Sequence, residues 1–151
     1  MLNRLGGVFR SLQDHEVRYV VVGGIAAVLH GVPRATFDLD LLVEPTRENV
    51  ERLLQALLDS GLATASLTTA DKVLQNEITV FEDRIRVDVL TSVPGVGFDG
   101  AWSRRQLMSY AGQDFFVVSR SDLIASKKAA GRDEDLADVR SLEAGEPQGG
   151  S

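Results

Sequence analysis

The sequence contains no cysteine, only two histidines and few aromatic residues, which make up 6% of its 151 positions. The missing cysteines exclude disulfide bonds and thiolate metal sites, and two histidines argue against a zinc site. No run of eighteen apolar residues occurs, so we expect no membrane-spanning helix and no membrane partner. The chain begins with an amphipathic pattern interrupted by charges rather than with the apolar core of a secretion signal. These absences are consistent with a cytoplasmic protein.

Basic residues are also scarce relative to acidic ones: 16 Lys and Arg against 22 Asp and Glu give a net charge of −6. This balance argues against a broad, nonspecific nucleic-acid surface, although a local basic patch remains compatible with it. The length and the 44% hydrophobic content suit one domain with a substantial core. We expect that domain to span residues 1–142. The Gly-, Pro-, Gln- and Ser-containing tail, residues 143–151, is predicted to be disordered.

Hydrophobic periodicity predicts an α/β (α+β) domain in which helices pack against a mixed sheet. The predicted helices are 2–15, 25–30, 47–58, 121–130 and 133–142, and the predicted strands are 18–22, 36–43, 62–68, 77–81, 84–90, 106–110 and 114–118. Residues 94–100 are predicted to form a glycine-rich loop.

Two aspartates, Asp38 and Asp40, alternate with apolar residues in the second predicted strand. Alternate side chains of a strand share a face, so both carboxylates are expected on one face, and Phe37, Leu39 and Leu41 on the core face. Adjacent like charges destabilise a strand unless a cation lies between them. Carboxylate oxygens are the ligands that Mg²⁺ or Mn²⁺ prefers. The alternative is an ordinary solvated strand face.

A third carboxylate, Asp88, lies in a later strand that also alternates apolar and polar residues. If this strand runs beside the one that carries Asp38, the three acids converge. Two metal ions held by such a cluster can stabilise the attacking and leaving oxygens of a phosphoryl transfer.

Residues suited to phosphate binding lie close to these acids in the sequence. Gly23 and Gly24 open a predicted helix, where backbone N–H groups can approach a phosphate. The alternative is a plain strand-to-helix turn, and the glycine pair gains its significance from the acids that follow it. Arg34 and Thr36 directly precede the acidic strand. Either side chain can contact a phosphate, and Arg34 can equally be a surface charge.

Two lysines, Lys127 and Lys128, lie in the helix predicted at 121–130, and one of them can reach a triphosphate while the other meets solvent. In the following helix, Asp135 and Asp138 share a face and can pair with Lys127 or Arg132. A solvated, salt-bridged helix pair is the alternative, which we favour for Lys128.

The segment Val22–Val43, with Gly-Gly followed by Asp-Leu-Asp, resembles the polymerase-β-like nucleotidyltransferase superfamily. Its Arg-x-Thr-x-Asp-x-Asp form, and the later Asp-Leu-Ile…Lys…Gly-Arg…Asp-Leu-Ala-Asp, are similar to small bacterial proteins related to AbiEii-type toxins, of the minimal nucleotidyltransferase branch. The resemblance covers most of residues 18–142.

This resemblance implies transfer of a nucleotidyl group from an NTP to a hydroxyl, with pyrophosphate leaving. Asp38, Asp40 and Asp88 would ligate Mg²⁺ or Mn²⁺, and Asp88 would also act as the base. The glycine pair would hold the triphosphate, and Lys127 would support it.

The sequence leaves the acceptor open among RNA such as tRNA, protein, and a small molecule such as an aminoglycoside, to which an acidic surface is suited. One interpretation is a component of a toxin–antitoxin pair with a protein partner. Another is a non-catalytic module that binds a nucleotide or a partner. A homodimer that completes the site is also compatible with the sequence.

Overall fold

A computed structural model describes residues 2–145. The strands are β1 (Tyr19–Val22), β2 (Leu39–Val43), β3 (Ile78–Glu82), β4 (Arg86–Leu90), β5 (Gln106–Tyr110) and β6 (Gln113–Val117). The α-helices are α1 (Gly6–Asp14), α2 (Gly23–Leu29), α3 (Arg47–Asp59), α4 (Ala70–Gln75), α5 (Phe98–Ser103), α6 (Arg120–Ala130) and α7 (Asp133–Ala144). Two 3₁₀ helices span Leu2–Arg4 and Ala63–Leu67.

The six strands form one mixed sheet in the order β3-β4-β2-β1-β6-β5. In the centre, β1 and β2 are antiparallel, and each has a parallel partner on its other side, β6 and β4 respectively. The two outer pairs, β3–β4 and β5–β6, are antiparallel hairpins. The predicted α/β class and both predicted hairpins are therefore confirmed.

Three segments differ from the sequence prediction in the type of secondary structure that they form. The strand predicted at 62–68 is the 3₁₀ helix Ala63–Leu67, in which only Ala65 is buried, too little apolar surface to hold a strand in the sheet. Helix α4 was not predicted; the Thr69 side chain caps it by accepting a hydrogen bond from the N–H of Lys72. Helix α5 replaces part of the predicted loop 94–100, because residues three apart in it, Phe98 and Ala101, bury one face.

The acidic strand is shorter than predicted, since β2 begins at Leu39 rather than at position 36. Its pairing with β4 also begins there, opposite Val87, so the preceding residues have no neighbouring strand to hold them in the sheet. Leu39 and Leu41 are fully buried as expected. Phe37, predicted to face the core, is instead 78% exposed.

A buried asparagine fixes the relative position of the two central strands. Asn49, which is fully buried, accepts a hydrogen bond from the N–H of Arg18 (2.8 Å) and donates to the carbonyls of Arg18 and Glu44 (3.0 Å each). These bonds join the residue before β1 to the residue after β2. They support the register in which Val22 lies opposite Asp40.

The last helix runs to Ala144 rather than ending at residue 142, so the predicted disorder is wrong for residues 143 and 144. Gly145, also in the predicted tail, is the C-cap of this helix, and the remaining residues of that prediction, 146–151, lie outside the described part of the chain. None of the helices within residues 2–145 is long and apolar enough to cross a membrane.

Candidate active site

The three predicted acids converge where β2 and β4 run side by side. These strands are parallel, and Asp40 lies directly opposite Asp88 in their register. Asp38 precedes β2 by one residue and lies close enough to contribute to the electrostatics of Asp40. On the other face of the two strands, the alternating apolar residues are fully buried; they are Leu39, Leu41, Val87 and Val89. The burial of that face turns the carboxylates to the opposite side.

This cluster makes ionisation of Asp40 unfavourable. Its pKa is raised from 3.8 to about 7, first because burial removes the carboxyl from water, and then because Asp88 and Asp38 carry like charges beside it. The positive charge of Arg86 partly opposes this rise. The cluster therefore has an excess of negative charge that a cation would relieve.

An arginine already supplies part of that compensation. Arg86 forms a two-pronged pair with Asp88, from Nε to Oδ1 (2.9 Å) and from Nη2 to Oδ2 (3.3 Å), and its Nε lies 3.8 Å from Asp38 Oδ2. The hydrogen bond and charge of Asp88 raise the pKa of the Arg86 guanidinium. Arg86 was not among the predicted site residues, although its position two residues before Asp88 in the same strand places both on one face.

The three carboxylates fit a hard divalent cation in the chemistry of their donor atoms and in their charge. As arranged, however, no three acidic or histidine side chains within residues 2–145 form a ready-made metal cluster. The guanidinium of Arg86 lies between Asp38 and Asp88. A metal ion bound at this cluster would therefore compete with Arg86 for the oxygens of Asp88.

Both glycines pack directly against the predicted site residues. Gly23 has a φ of 69°, and a Cβ there would overlap the Asp40 carboxylate. A Cβ on Gly24 would lie 2.6 Å from the Thr36 hydroxyl oxygen and 3.4 Å from Nη2 of Arg34. The glycine pair is thus needed sterically, because any side chain would displace the groups that line the site.

The basic residues at the site belong to an ionic network between α6 and α7. Lys127 is buried, with its Nζ 2.8 Å from Asp138 Oδ2 and 3.6 Å from Asp135 Oδ1. Arg34 also reaches Asp138, at 2.9 Å, and Arg132 holds Asp135 through Nε at 2.7 Å. The predicted pairing of these acids with Lys127 and Arg132 is confirmed. Much of the charge of Lys127 is therefore already neutralised.

The turn between the two helices creates this network. Helix α6 is capped by the Ser119 side chain and ends at Gly131, whose φ is 70°. Helix α7 begins two residues later, which brings its first turns against the end of α6. Burial opposes ionisation of Asp135, but the hydrogen bond and charge of Arg132 and the charge of Lys127 together lower its pKa. Lys128 instead lies on the exposed side and pairs with Glu143 (2.8 Å).

A cavity of about 400 Å³ unites these groups. Its lining includes all eight predicted site residues: Gly23, Gly24, Arg34, Thr36, Asp38, Asp40, Asp88 and Lys127. Arg132 and Ser126 also line it, together with an apolar wall that includes Ile78, Leu90 and Val93. None of these five was among the predicted site residues. The apolar wall follows from strand alternation, because Ile78 and Leu90 are paired on the face that carries Asp88.

Comparison with solved structures finds the same fold in another protein. The chain is similar to a crystal structure from Thermotoga maritima described as a candidate nucleotidyltransferase, with a TM-score of 0.59 and 16% sequence identity. The match covers 96% of this chain and 93% of that one. At this identity the likeness establishes the fold alone.

The sequence matches one protein family over residues 3–144, nearly its whole length. That family is described as a nucleotidyltransferase of unknown function, DUF6036, and the protein belongs to it. No curated protein is significantly similar to the chain.

Proposed function

We propose that the protein is a metal-dependent nucleotidyltransferase, which transfers a nucleotidyl group from an NTP to an acceptor hydroxyl. The observation that carries this proposal is the convergence of Asp38, Asp40 and Asp88 on a cavity that the glycine pair also lines. Membership of a nucleotidyltransferase family supports the same chemistry.

In the proposed reaction, the acceptor hydroxyl oxygen forms a bond to the α-phosphorus of the NTP. The bond from that phosphorus to the β,γ-diphosphate breaks, and pyrophosphate leaves with the bonding electrons. The hydroxyl proton passes to the carboxylate of Asp88. Little covalent work falls to the protein, so positioning and charge neutralisation supply most of the rate enhancement.

We propose that Asp38, Asp40 and Asp88 hold Mg²⁺ or Mn²⁺, which supplies the positive charge that neutralises the triphosphate and the reacting oxygens. The main chain at Gly23 and Gly24 lies against the triphosphate, with the Thr36 hydroxyl beside it.

The basic residues have a different part in this proposal. The charges of Arg34 and Lys127 are shared with buried acids. Both side chains therefore act chiefly by fixing the wall of the cavity, and each contributes only its remaining donors to a phosphate.

A non-catalytic nucleotide-binding module is the second candidate, and the Arg86–Asp88 pair favours it. A base whose two oxygens are both held by a guanidinium (2.9 and 3.3 Å) is poorly disposed to accept a proton. The two candidates differ in whether a metal ion and nucleotide displace this pair.

The similarity of the sequence to AbiEii-related proteins further suggests a component of a toxin–antitoxin pair. Under that proposal the acceptor is RNA or protein, and a partner protein controls the activity.

The test is incubation with each NTP labelled at the α-phosphate, Mg²⁺ or Mn²⁺, total RNA and cell protein. Transfer of label to a macromolecule by the intact protein, and none by Asp40→Asn, is the expected result. The exposed acid Asp114 offers a matched control, since Asp114→Asn changes the same charge on β6 and should leave transfer intact. Metal-dependent NTP binding without transfer to RNA, protein or an added aminoglycoside would establish the binding module instead.

A further inference from the structure

A second cavity, of about 440 Å³, adjoins the proposed active site. Asp38 lines both cavities. An occupant of the second cavity would therefore meet an occupant of the first at the carboxylate cluster, as the two substrates of a transfer reaction must. We call this second cavity the acceptor groove; it is lined by Arg4, Phe37, Asp38, Arg84 and Arg86, together with the acids of the β3–β4 turn.

An exposed aromatic ring forms part of the acceptor groove. Phe37 is 78% exposed, and no aromatic side chain within residues 2–145 stacks against it. Its neighbours in the chain are Thr36, in the nucleotide cavity, and Asp38, shared by both cavities. Leaving a phenyl ring in water is unfavourable, whereas a planar base stacked on it would cover the ring.

Two arginines of the acceptor groove, Arg4 and Arg84, form no ion pair in the described part of the chain. The Arg4 guanidinium donates a hydrogen bond to the backbone carbonyl of Arg84 (3.2 Å), which holds the two residues together. In the described part of the chain, neither arginine lies within 4.0 Å of an acidic side-chain oxygen. Both can therefore bind a phosphate without first breaking an ion pair.

The acids of the groove are already engaged. Asp83 Oδ2 accepts hydrogen bonds from the backbone N–H (3.2 Å) and hydroxyl (2.9 Å) of Thr64. Glu82 lies opposite Arg86 in the hairpin register and contributes to its electrostatics.

The groove lining carries three arginines and three acids, so its preference follows from the placement of its groups rather than from net charge. Arg4 and Arg84, next to the exposed ring of Phe37, fit an acceptor that carries both a phosphate and a planar base.

We propose that the acceptor groove binds the end of a single-stranded nucleic acid. The role of that nucleic acid as the acceptor rests on the proposed function. One base stacks on Phe37, and the adjacent phosphodiester groups lie on Arg4 and Arg84. The terminal hydroxyl then reaches the carboxylates, its oxygen bonds to the α-phosphorus as pyrophosphate leaves, and its proton passes to Asp88. With a net charge of −6, the protein makes this contact over a short site only.

The test is fluorescence anisotropy with a 5′-labelled, mixed-sequence single-stranded RNA of about 12 nucleotides, within the usual range of site sizes. Phe37→Ala should weaken binding about tenfold, and Phe37→Trp should restore it, because stacking on an aromatic ring tolerates any base. Since Phe37 is largely exposed, neither change threatens the fold.

The two arginines are tested by the salt dependence of binding. The slope of the logarithm of the binding constant against the logarithm of the salt concentration is negative, and each phosphate that a side chain neutralises makes it steeper by about 0.7. The double variant Arg4→Gln with Arg84→Gln should therefore make the slope shallower by about 1.4. Arg52→Gln is the matched control: this arginine lines a separate surface cavity beside α3, so its removal should leave the slope unchanged.

Binding of the magnesium–NTP complex, measured in parallel, separates this inference from the proposed function. If the protein binds NTP but not RNA, or if Phe37→Ala binds RNA as tightly as wild type, the acceptor groove is refuted while the nucleotidyltransferase proposal stands. Binding of RNA through the groove without any NTP binding would refute the proposed function alone. Label transferred only to protein would also overturn the nucleic-acid acceptor.

Discussion

Replacing Asp40 with asparagine is expected to stabilise the metal-free protein at pH 8. In the folded chain, burial and the neighbouring carboxylates raise the pKa of Asp40 from 3.8 to about 7. Above pH 7 the native protein must therefore hold a charge that its environment opposes. Asparagine has nearly the same shape and no charge, so it removes this cost.

The sign of the effect follows from proton linkage. Between pH 3.8 and about 7 the folded protein retains a proton on Asp40 that the unfolded chain has already released. The free energy of unfolding therefore falls as the pH rises through this window, and the Asp40 contribution is constant above it. The advantage of the asparagine variant should be near zero at pH 4 and largest above pH 7.

The magnitude can be bounded from the same pKa values. Each pKa unit corresponds to about 1.4 kcal/mol, so the rise in the pKa of Asp40 from 3.8 to about 7 sets an upper limit of about 4 kcal/mol on the stabilisation by asparagine. Because Arg86 can turn toward the charge and water reaches part of the carboxyl, we expect about 1–3 kcal/mol. For a chain of this size, that shifts the melting temperature by about 3–10 °C.

The assay is thermal and urea unfolding of both proteins in EDTA, at pH 5, 6, 7 and 8. Added Mg²⁺ should stabilise wild type by about 2.7 kcal/mol at one hundred times its Kd, and Asp40→Asn much less. Asp114→Asn controls for the change in net charge. A variant that is less stable than wild type at pH 8 in EDTA would refute the electrostatic account of the cluster.

Three further substitutions test separate parts of the site. Arg86→Gln should raise the affinity of the nucleotide-free protein for Mn²⁺ several-fold in a calorimetric titration, because the guanidinium no longer competes for Asp88. An unchanged affinity would show that the Arg86–Asp88 pair does not obstruct the metal. Gly23→Ala should lower the free energy of unfolding, measured in urea, by more than about 2 kcal/mol, because the φ of Gly23 is 69° and a Cβ there would overlap a carboxylate. The control Gly7→Ala, which has open space around it, should be neutral or stabilising. Equal effects of the two changes would contradict the packing argument. Asp138→Asn should lower the free energy of unfolding by about 3–5 kcal/mol, because it removes the carboxylate that Arg34 and the buried Lys127 share. A change below about 1 kcal/mol would mean that the ionic network is dispensable for stability.

Local sequence patterns predicted the faces of Asp40 and Asp88, while the pairing of their strands was only a condition of the prediction. The alternation around Asp40 and Asp88 predicts which face each carboxylate occupies, and the two strands are neighbours with these residues in register. The same alternation wrongly predicted that Phe37 faces the core, because alternation applies only within a strand and β2 does not begin until Leu39. A strand boundary depends on where the neighbouring strand starts, which local sequence does not contain.

Ionic partners were harder to predict than positions. The pairing of Asp138 with Lys127 follows from the adjacency of the last two helices, and the sequence indicated it. The pairing of Asp138 with Arg34 joins residues 104 positions apart, and no periodicity reports it. Arg86 illustrates a third case: its face was predictable, but the competition it offers for Asp88 depends on the distance between guanidinium and carboxylate.

The most direct test of the account is a crystal structure with Mn²⁺ and a non-hydrolysable NTP analogue, using the anomalous signal of manganese. We expect manganese to be bound by Asp38, Asp40 and Asp88, the triphosphate to lie against Gly23 and Gly24, and Arg86 to have left Asp88. A nucleotide bound elsewhere, or an Arg86–Asp88 pair that stays closed with no manganese at the carboxylates, would contradict the proposed active site.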